Sequence, residues 1–192
     1  RQHDDVPQRA VLMKMKLNLR LRRFGRAKKG LAAVEFAIIA PMMIFLLFGS
    51  VDLIDVLGAN TRAQNVAASL ADVVARDTEV SNAEVAGLWD AIGVLMYPDS
   101  GVDVKVRVSS VRIVNATTAQ VVWSEGHGMA ARTANSTVTL PAAMMTPGTS
   151  VIMAESDYAY SSPLGFLMAG PVNMHHDAYR RSRLVDPIPR VS

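Results

Sequence analysis

Apolar side chains form one long run near the amino terminus and then recur at regular spacings. The segment Leu31–Val51 contains 21 residues, and its one charged member is Glu35. A helix of that length spans about 30 Å, which is the thickness of the hydrocarbon core of a bilayer. The run therefore predicts a transmembrane helix, which we assign to residues 31–52.

The helical pattern continues beyond the apolar run and is followed by the start signal of a second helix. Ser81 and Glu84 have the spacing of a capping box, which predicts a helix over residues 83–96. Residues spaced by three and four predict the inner face of the first helix: Leu53, Val56, Leu57, Asn60, Ala63, Ala67, Leu70 and Val74. The same rule predicts the inner face of the second helix: Val85, Leu88, Trp89, Ile92 and Met96.

Strict alternation marks strands in the remainder of the chain. Valines at 102, 104, 106 and 108 alternate with polar residues, and the phase slips at Ser109-Ser110, which predicts a β-bulge. Residues 120–124 and 151–160 are the predicted partner strands, and 125–134 and 141–149 are predicted loops. The fold class is α+β and membrane-anchored: a long helix continues into a head with a second helix and a small antiparallel sheet.

The predicted organisation is a leader at 1–30, the span at 31–52, a head at 53–170 and a polar tail at 171–192. We expect the tail to be ordered only if it docks. Residues 1–30 carry a net charge of +8 and the remainder carries −5, which together give +3. Because the basic residues precede the apolar run, the positive-inside rule places the amino terminus in the cytoplasm and the head outside. This placement argues against nucleic acid as a partner.

The ionisable and helix-breaking residues of the span are candidates for function. Pro41 cannot donate to the carbonyl of Ala37, so a kink or local loosening is expected there. A carboxylate at Glu35 is costly in lipid and is a functional hypothesis by default. The alternative is that Glu35 reaches the headgroups or pairs with Lys28 or Lys29. A cleavable signal peptide is disfavoured, because no clean small-residue cleavage site follows the run.

Catalytic and metal-binding motifs are not found in the sequence. The absence of cysteine excludes disulfides, zinc-thiolate sites and cysteine nucleophiles. Four histidines are present, and the adjacent His175 and His176 would point about 100° apart on a helix or to opposite faces of a strand, so they would not face one metal together. We find no HExxH, GxSxG, Walker or GxGxxG motif. The expectation is a protein that is not an enzyme and has no metal or cofactor.

The boundary between the leader and the span contains a specific motif. Lys28-Lys29-Gly30-Leu31 is followed by Glu five residues after the glycine and by Phe36 at the sixth position. This arrangement resembles the processing site of type IV prepilins and pseudopilins. The resemblance implies cleavage by a prepilin peptidase between Gly30 and Leu31. It also implies that Glu35 and Phe36 act in recognition and assembly, with Glu35 facing the α-amino group of a neighbouring subunit.

The sequence GLAAVEFAIIAPMMIFLLFGSVDL more narrowly resembles the TadE-like group of the tight-adherence (Tad) pilus system. That group has Pro six residues after the Glu, here Pro41, and an apolar run that ends in G-x-x-[DE], here Gly49 to Asp52. A second, weaker likeness covers SVIMAESDYAYSSPLG at 150–165, which resembles the family's closing strand. Val122-Trp123-Ser124 resembles a V-x-W-S strand of the family.

The resemblance implies a minor pseudopilin of Tad pilus assembly in a bacterial inner membrane, with a periplasmic head. Its expected partners are the membrane, the prepilin peptidase, other pilins and the Tad secretion machinery. An alternative function is an uncleaved, single-span membrane anchor that carries a periplasmic binding or sensor domain. Met13 and Met15 are alternative translation starts that would give a compact leader.

Overall fold

The computed structural model describes residues 28–168 and 170–192. Most of the basic leader and its candidate start sites lie outside the described residues. The chain divides into an N-terminal unit, which ends at Ser50, and a C-terminal unit, Val51–Ser192. Helix α1 (Lys28–Val74) contributes its first half to the N-terminal unit and its second half to the C-terminal unit. The predicted fold class is confirmed, with one long apolar helix, a second helix and an antiparallel sheet.

In the N-terminal unit, α1 is a helix with apolar side chains facing outward along its length. Its large apolar residues between Leu31 and Phe48 are exposed. The helix passes through Pro41 without interruption. A segment from Gly30 onward is long and apolar enough to cross a membrane. An outward-facing apolar surface of this length is typical of a helix that has lipid or another apolar helix as its surroundings.

In the C-terminal unit, the second half of α1 buries a narrow stripe of mostly small residues. Alanines at 59, 63, 67, 71 and 75 recur every four residues and are fully buried, and Leu70 and Val74 lie on the same stripe. Small side chains allow a sheet to approach the helix closely: the Ser156 hydroxyl donates to the Ala63 carbonyl at 2.8 Å. The prediction was wrong for Leu53 and Leu57, whose side chains are exposed.

Helix α2 (Asn82–Met96) follows the sequence prediction closely. The Ser81 hydroxyl accepts from the Glu84 amide at 3.3 Å, and the Glu84 carboxylate accepts from the Ser81 amide at 2.5 Å, which is the predicted capping box. The pKa of Glu84 is lowered, chiefly because its carboxylate accepts from the Ser81 backbone. The residues buried on this helix are Val85, Leu88, Ile92 and Met96, and Trp89 packs partly buried against the same core.

The sheet has five antiparallel strands in the order β3-β2-β1-β4-β5. Their bounds are β1 (Val104–Ile113), β2 (Ala119–His127), β3 (Thr137–Val138), β4 (Ser150–Tyr160) and β5 (Val172–Arg181). The predicted bulge is confirmed, because the pairing of β1 with β2 shifts register between Ser110 and Val111. Val102 lies in a 3₁₀ turn before β1 and is exposed, which contradicts its assignment to a buried strand face.

The segment after Pro171 docks fully on the sheet. It forms β5, which pairs with the whole of β4, from Val151↔Arg181 to Tyr160↔Val172. The chain then returns as a C-terminal strap (residues 182–192). Its Ile188 is fully buried, and the Ile188 carbonyl accepts from Trp123 Nε1 at 2.8 Å. The polar composition of this segment hid the strand, because one face of β5 lies outside the main core.

Candidate functional site

The residues of the predicted processing site lie together at the start of the described part of α1. Gly30, Leu31, Glu35 and Phe36 are all exposed, and Phe36 is 68% exposed. Leu31 and Glu35 are four residues apart, so their side chains lie on one face of the helix, one turn from each other. The arrangement presents a carboxylate and large apolar groups on the surface of an apolar helix.

The fold itself gives no reason for glycine at position 30. A Cβ atom built there would have nothing within 4 Å. Glycine in a helix costs roughly 1 kcal/mol relative to alanine. The described part of the fold therefore does not require glycine at this position.

Glu35 makes no hydrogen bond or ion pair among the side chains that the structure describes. Glu155, which lies in the 150–165 segment that resembles the family's closing strand, differs from it. Glu155 on β4 is 5% exposed and pairs with two arginines. Arg107 of β1 donates from Nε and one terminal nitrogen, both at 2.6 Å. Arg132 donates at 2.8 and 3.3 Å. Burial opposes ionisation of Glu155, but the two guanidinium groups outweigh it and lower its pKa.

A histidine with two carboxylates lies beside this ion pair on the same face of the sheet. The Nδ1 atom of His175 hydrogen-bonds to Asp157, and its Nε2 atom lies 3.2 Å from Asp177 Oδ1. The hydrogen bond to Asp157 raises the pKa of His175, and Asp177 adds to the effect. Both ring nitrogens have an acceptor, so the doubly protonated imidazolium fits this position best.

Glu155, His175 and Asp177 together place potential metal-ligand atoms within 4.8 Å of one another. No spacing along the chain predicts this set, because β4 and β5 bring the residues together by register (Glu155↔Asp177). The two arginines already occupy both carboxylate oxygens of Glu155 and would repel a cation. The arrangement is chemically an ion-pair network that fixes β1, β4 and the loop with Arg132 to one another.

His176 projects to the opposite face of β5 from His175, as neighbouring residues of a strand do. Its Nε2 atom lies 3.1 Å from the Asn60 side-chain oxygen on α1. His127 at the end of β2 stacks on Trp89 of α2, with ring centroids 5.5 Å apart. These histidines therefore join the sheet to the helices.

The burial of Asp52, at the start of the C-terminal unit, was also not predicted from the sequence. Its carboxylate accepts hydrogen bonds from the Ser162 hydroxyl and from the backbone amides of Phe166 and Leu167, the latter two at 2.8 and 2.7 Å. Asp52 is fully buried. The last residue of the G-x-x-[DE] motif is thus joined to the end of the 150–165 segment, the second stretch of family likeness.

Comparison with known proteins gives one family. Residues 30–72 match the family model described as TadE-like protein. No curated protein and no solved structure gives a significant match to the chain. The matched range contains Gly30, Glu35, Pro41 and Asp52 and ends within α1, so the sheet lies outside it. The family supports a role related to the Tad pilus and an association with the membrane. The amino-terminal helix of this chain is therefore similar to that of TadE-like proteins.

Proposed function

We propose that this chain is a TadE-like minor pseudopilin that acts in assembly of a Tad-type pilus. The observation that carries the proposal is the family match over an apolar helix whose surface bears an exposed carboxylate, Glu35. In the proposed cycle the helix first lies in the inner membrane, with its amino terminus in the cytoplasm. It then moves laterally into a bundle of pilin helices.

We further propose that a prepilin peptidase cleaves between Gly30 and Leu31. Hydrolysis of this bond would remove the basic leader, keep the membrane helix on the mature protein and create a new α-ammonium at Leu31. Because the low helix propensity of Gly30 eases local unwinding, glycine at this position favours access of the peptidase to the bond.

Glu35 then has a chemical role in assembly. An ionised carboxylate in an apolar layer requires a partner, and the α-ammonium of a neighbouring subunit supplies both charge and donors. Truncation of Glu35 to alanine should leave membrane insertion intact and should reduce recovery of this protein with other pilins. Normal assembly of that variant would favour the alternative in which Glu35 only reaches the headgroups.

The decisive experiment is mass spectrometry of the amino terminus of the protein from the membrane fraction. We expect Leu31 as the first residue of the mature form and accumulation of the precursor in the Gly30→Ala variant. Gly87→Ala is the matched control, because Gly87 also lies in a helix and a Cβ atom there also has nothing within 4 Å. The control should be processed normally.

The same measurement separates the proposal from the uncleaved-anchor alternative. A wild-type protein that keeps its basic leader in cells with an active prepilin peptidase would contradict cleavage and favour a permanent membrane-anchored binding or sensor domain. Normal processing of Gly30→Ala would show that glycine at position 30 is not the recognition element.

A further inference from the structure

The C-terminal unit carries an apolar surface patch that its core does not explain. Three of its members lie on α1 just after the predicted span, and three lie on the loop between β4 and β5. All six side chains are between 44% and 67% exposed. We call them the junction patch: Leu53, Ile54, Leu57, Leu164, Phe166 and Leu167.

Asp52 fixes the loop part of the junction patch to α1, at the level where the helical part begins. It accepts from the amides of Phe166 and Leu167, whose side chains belong to the patch, and from the hydroxyl of Ser162 at the start of the same loop. The Ser162 oxygen also accepts from the Gly165 amide at 3.2 Å, which closes the turn. Gly165 has φ of +59°, a conformation that favours glycine. The loop is thus held at the level of Asp52.

The position of Asp52 along α1 gives the level of the loop relative to a bilayer. The 21 residues from Leu31 to Val51 extend about 31 Å, enough to cross the hydrocarbon core. Leu57 lies about 9 Å further along the helix. A bilayer including its headgroup regions is about 40–45 Å thick, so residues 52–57 fall at the boundary between acyl chains and headgroups.

The composition of the loop fits this boundary. Residues 161–170 (SSPLGFLMAG) contain no charged side chain, so no ionised group on the loop opposes insertion. Two carboxylates lie at this level. Asp52 is fully buried and saturated by a hydroxyl and two amides, and Asp55 is exposed, where the headgroup side of the boundary can hydrate it. A carboxylate close to hydrocarbon needs hydrogen-bond donors from the protein, because water is scarce there. A carboxylate in an aqueous environment could be hydrated instead.

We propose that the junction patch is a lipid-interface surface. The turn at 162–167 places Leu164, Phe166 and Leu167 in the acyl–headgroup boundary of the outer leaflet, beside Leu53, Ile54 and Leu57. The occupant of the surface is phospholipid, and the consequence is that the C-terminal unit is fixed against the membrane at two points instead of by the helix alone. The proposal rests on the membrane span of the proposed function and adds a second contact to it.

The test uses single-cysteine variants, which are free of background because the chain has no cysteine. Leu164→Cys and Leu167→Cys of the full chain are labelled with an environment-sensitive fluorophore and reconstituted in vesicles of phosphatidylethanolamine and phosphatidylglycerol. The vesicles contain a lipid with a nitroxide quencher near the headgroup. Val114→Cys is the matched control, since Val114 and Leu164 are both 49% exposed but lie beyond opposite ends of the β1–β4 pair.

A fourth label, Met42→Cys in the middle of the apolar run, reports insertion of the span with a quencher at the acyl-chain end. We expect strong quenching at Leu164 and Leu167 and none above background at Val114. If the Met42 label is quenched but the labels at Leu164 and Leu167 are quenched no more than the Val114 label, this inference is overturned and the assignment of the membrane span stands. A lack of quenching at Met42 would overturn the span and the inference together. Labels at Leu164 and Leu167 that are shielded from water but insensitive to the quencher would show a protein occupant and would also overturn it.

Asp52→Ala in the Leu164→Cys background tests the positioning role of the carboxylate. Loss of the three hydrogen bonds should release the turn, so that quenching at Leu164 falls towards the Val114 value while quenching at Met42 is retained. Unchanged quenching at Leu164 would show that Asp52 does not place the loop.

Discussion

The two halves of helix α1 have opposite relations to their own chain. Before Ser50 the large apolar side chains are exposed, whereas after Val56 a stripe rich in alanine is buried against the sheet. Both halves belong to one helix, but residues 31–50 contain a single charged side chain, whereas residues 51–74 carry polar and charged side chains opposite the buried stripe. Side-chain size also differs: the second half has small residues where a sheet approaches closely, and the first half has Leu, Ile, Phe and Met exposed on its surface.

The same contrast holds for two glutamates. Glu35 is an exposed carboxylate on an apolar helix, whereas Glu155 is buried and bonded to two guanidinium groups. One is satisfied within the chain, and the other has a chemical need that only a membrane headgroup, a lysine of the leader or another subunit can meet. The difference separates a residue that stabilises the fold from a residue available for assembly.

The largest expected effect comes from removal of the buried glutamate. Glu155→Ala leaves two arginines, 16% and 27% exposed, without their common partner, and should lower the free energy of unfolding by about 4 kcal/mol. Both tryptophans lie in the C-terminal unit, so denaturant unfolding in detergent can be followed by their fluorescence. Glu35→Ala is the control and should change this value by less than about 0.5 kcal/mol. Equal effects of the two substitutions would contradict the contrast.

A matched pair of leucines on one helix tests the contrast through packing. Leu70 is 1% exposed and Leu46 is 59% exposed. Leu70→Ala creates a cavity and should cost about 3 kcal/mol in the same unfolding measurement, while Leu46→Ala should leave it unchanged. A comparable loss for Leu46→Ala would mean that the first half of α1 contributes directly to the stability of the C-terminal unit.

A smaller effect is expected at the C-terminal strap. Trp123→Phe removes the donor to the Ile188 carbonyl and should cost about 1 kcal/mol. The measurement is the rate at which carboxypeptidase releases residues from the strap, which should increase severalfold. Trp89→Phe is the control, because the Trp89 ring stacks on His127, which belongs to β2 and not to the strap. No difference between the two variants would show that this hydrogen bond does not hold the strap.

The smallest effect is a pH dependence at the exposed end of the ion-pair network. The pKa of His175 is raised in the folded protein, so its contribution to stability is complete below the unfolded value of about 6.5. It is lost as the pH rises through the folded value. NMR titration of His175 should show the raised pKa, and Asp157→Asn should lower it. A titration unaffected by Asp157→Asn would contradict the assigned cause.

Local signals along the chain were sufficient for the helices and for most strands. The capping box at Ser81 and Glu84 and the bulge at Ser109-Ser110 depend on neighbouring residues, and both are found as predicted. Residues 125–127 were predicted as loop but extend β2. Gly126 weakens a strand pattern, whereas here its lack of a Cβ permits the close approach of the Met129 carbonyl.

Local sequence signals could not predict where the buried face of α1 begins or that β5 forms at the sheet edge. Leu53 and Leu57 have the periodicity of Val56 and Ala63, yet periodicity does not say where a partner element stops. The edge strand β5 was hidden because His175, Asp177 and the arginines give it a polar sequence. Its pairing depends on backbone hydrogen bonds to β4, which a hydrophobic pattern does not encode.

Three features can be identified from the sequence alone, because each depends on residues close together in the chain: the membrane-type helix, the charge asymmetry and the cluster of Gly30, Glu35 and Pro41. The folded structure was needed to show that Asp52 meets a turn more than a hundred residues away and that Glu155 is satisfied by Arg107 and Arg132. Such pairs depend on strand register and loop closure. Their energies come from burial and hydrogen-bond geometry, which exist only once the chain has folded.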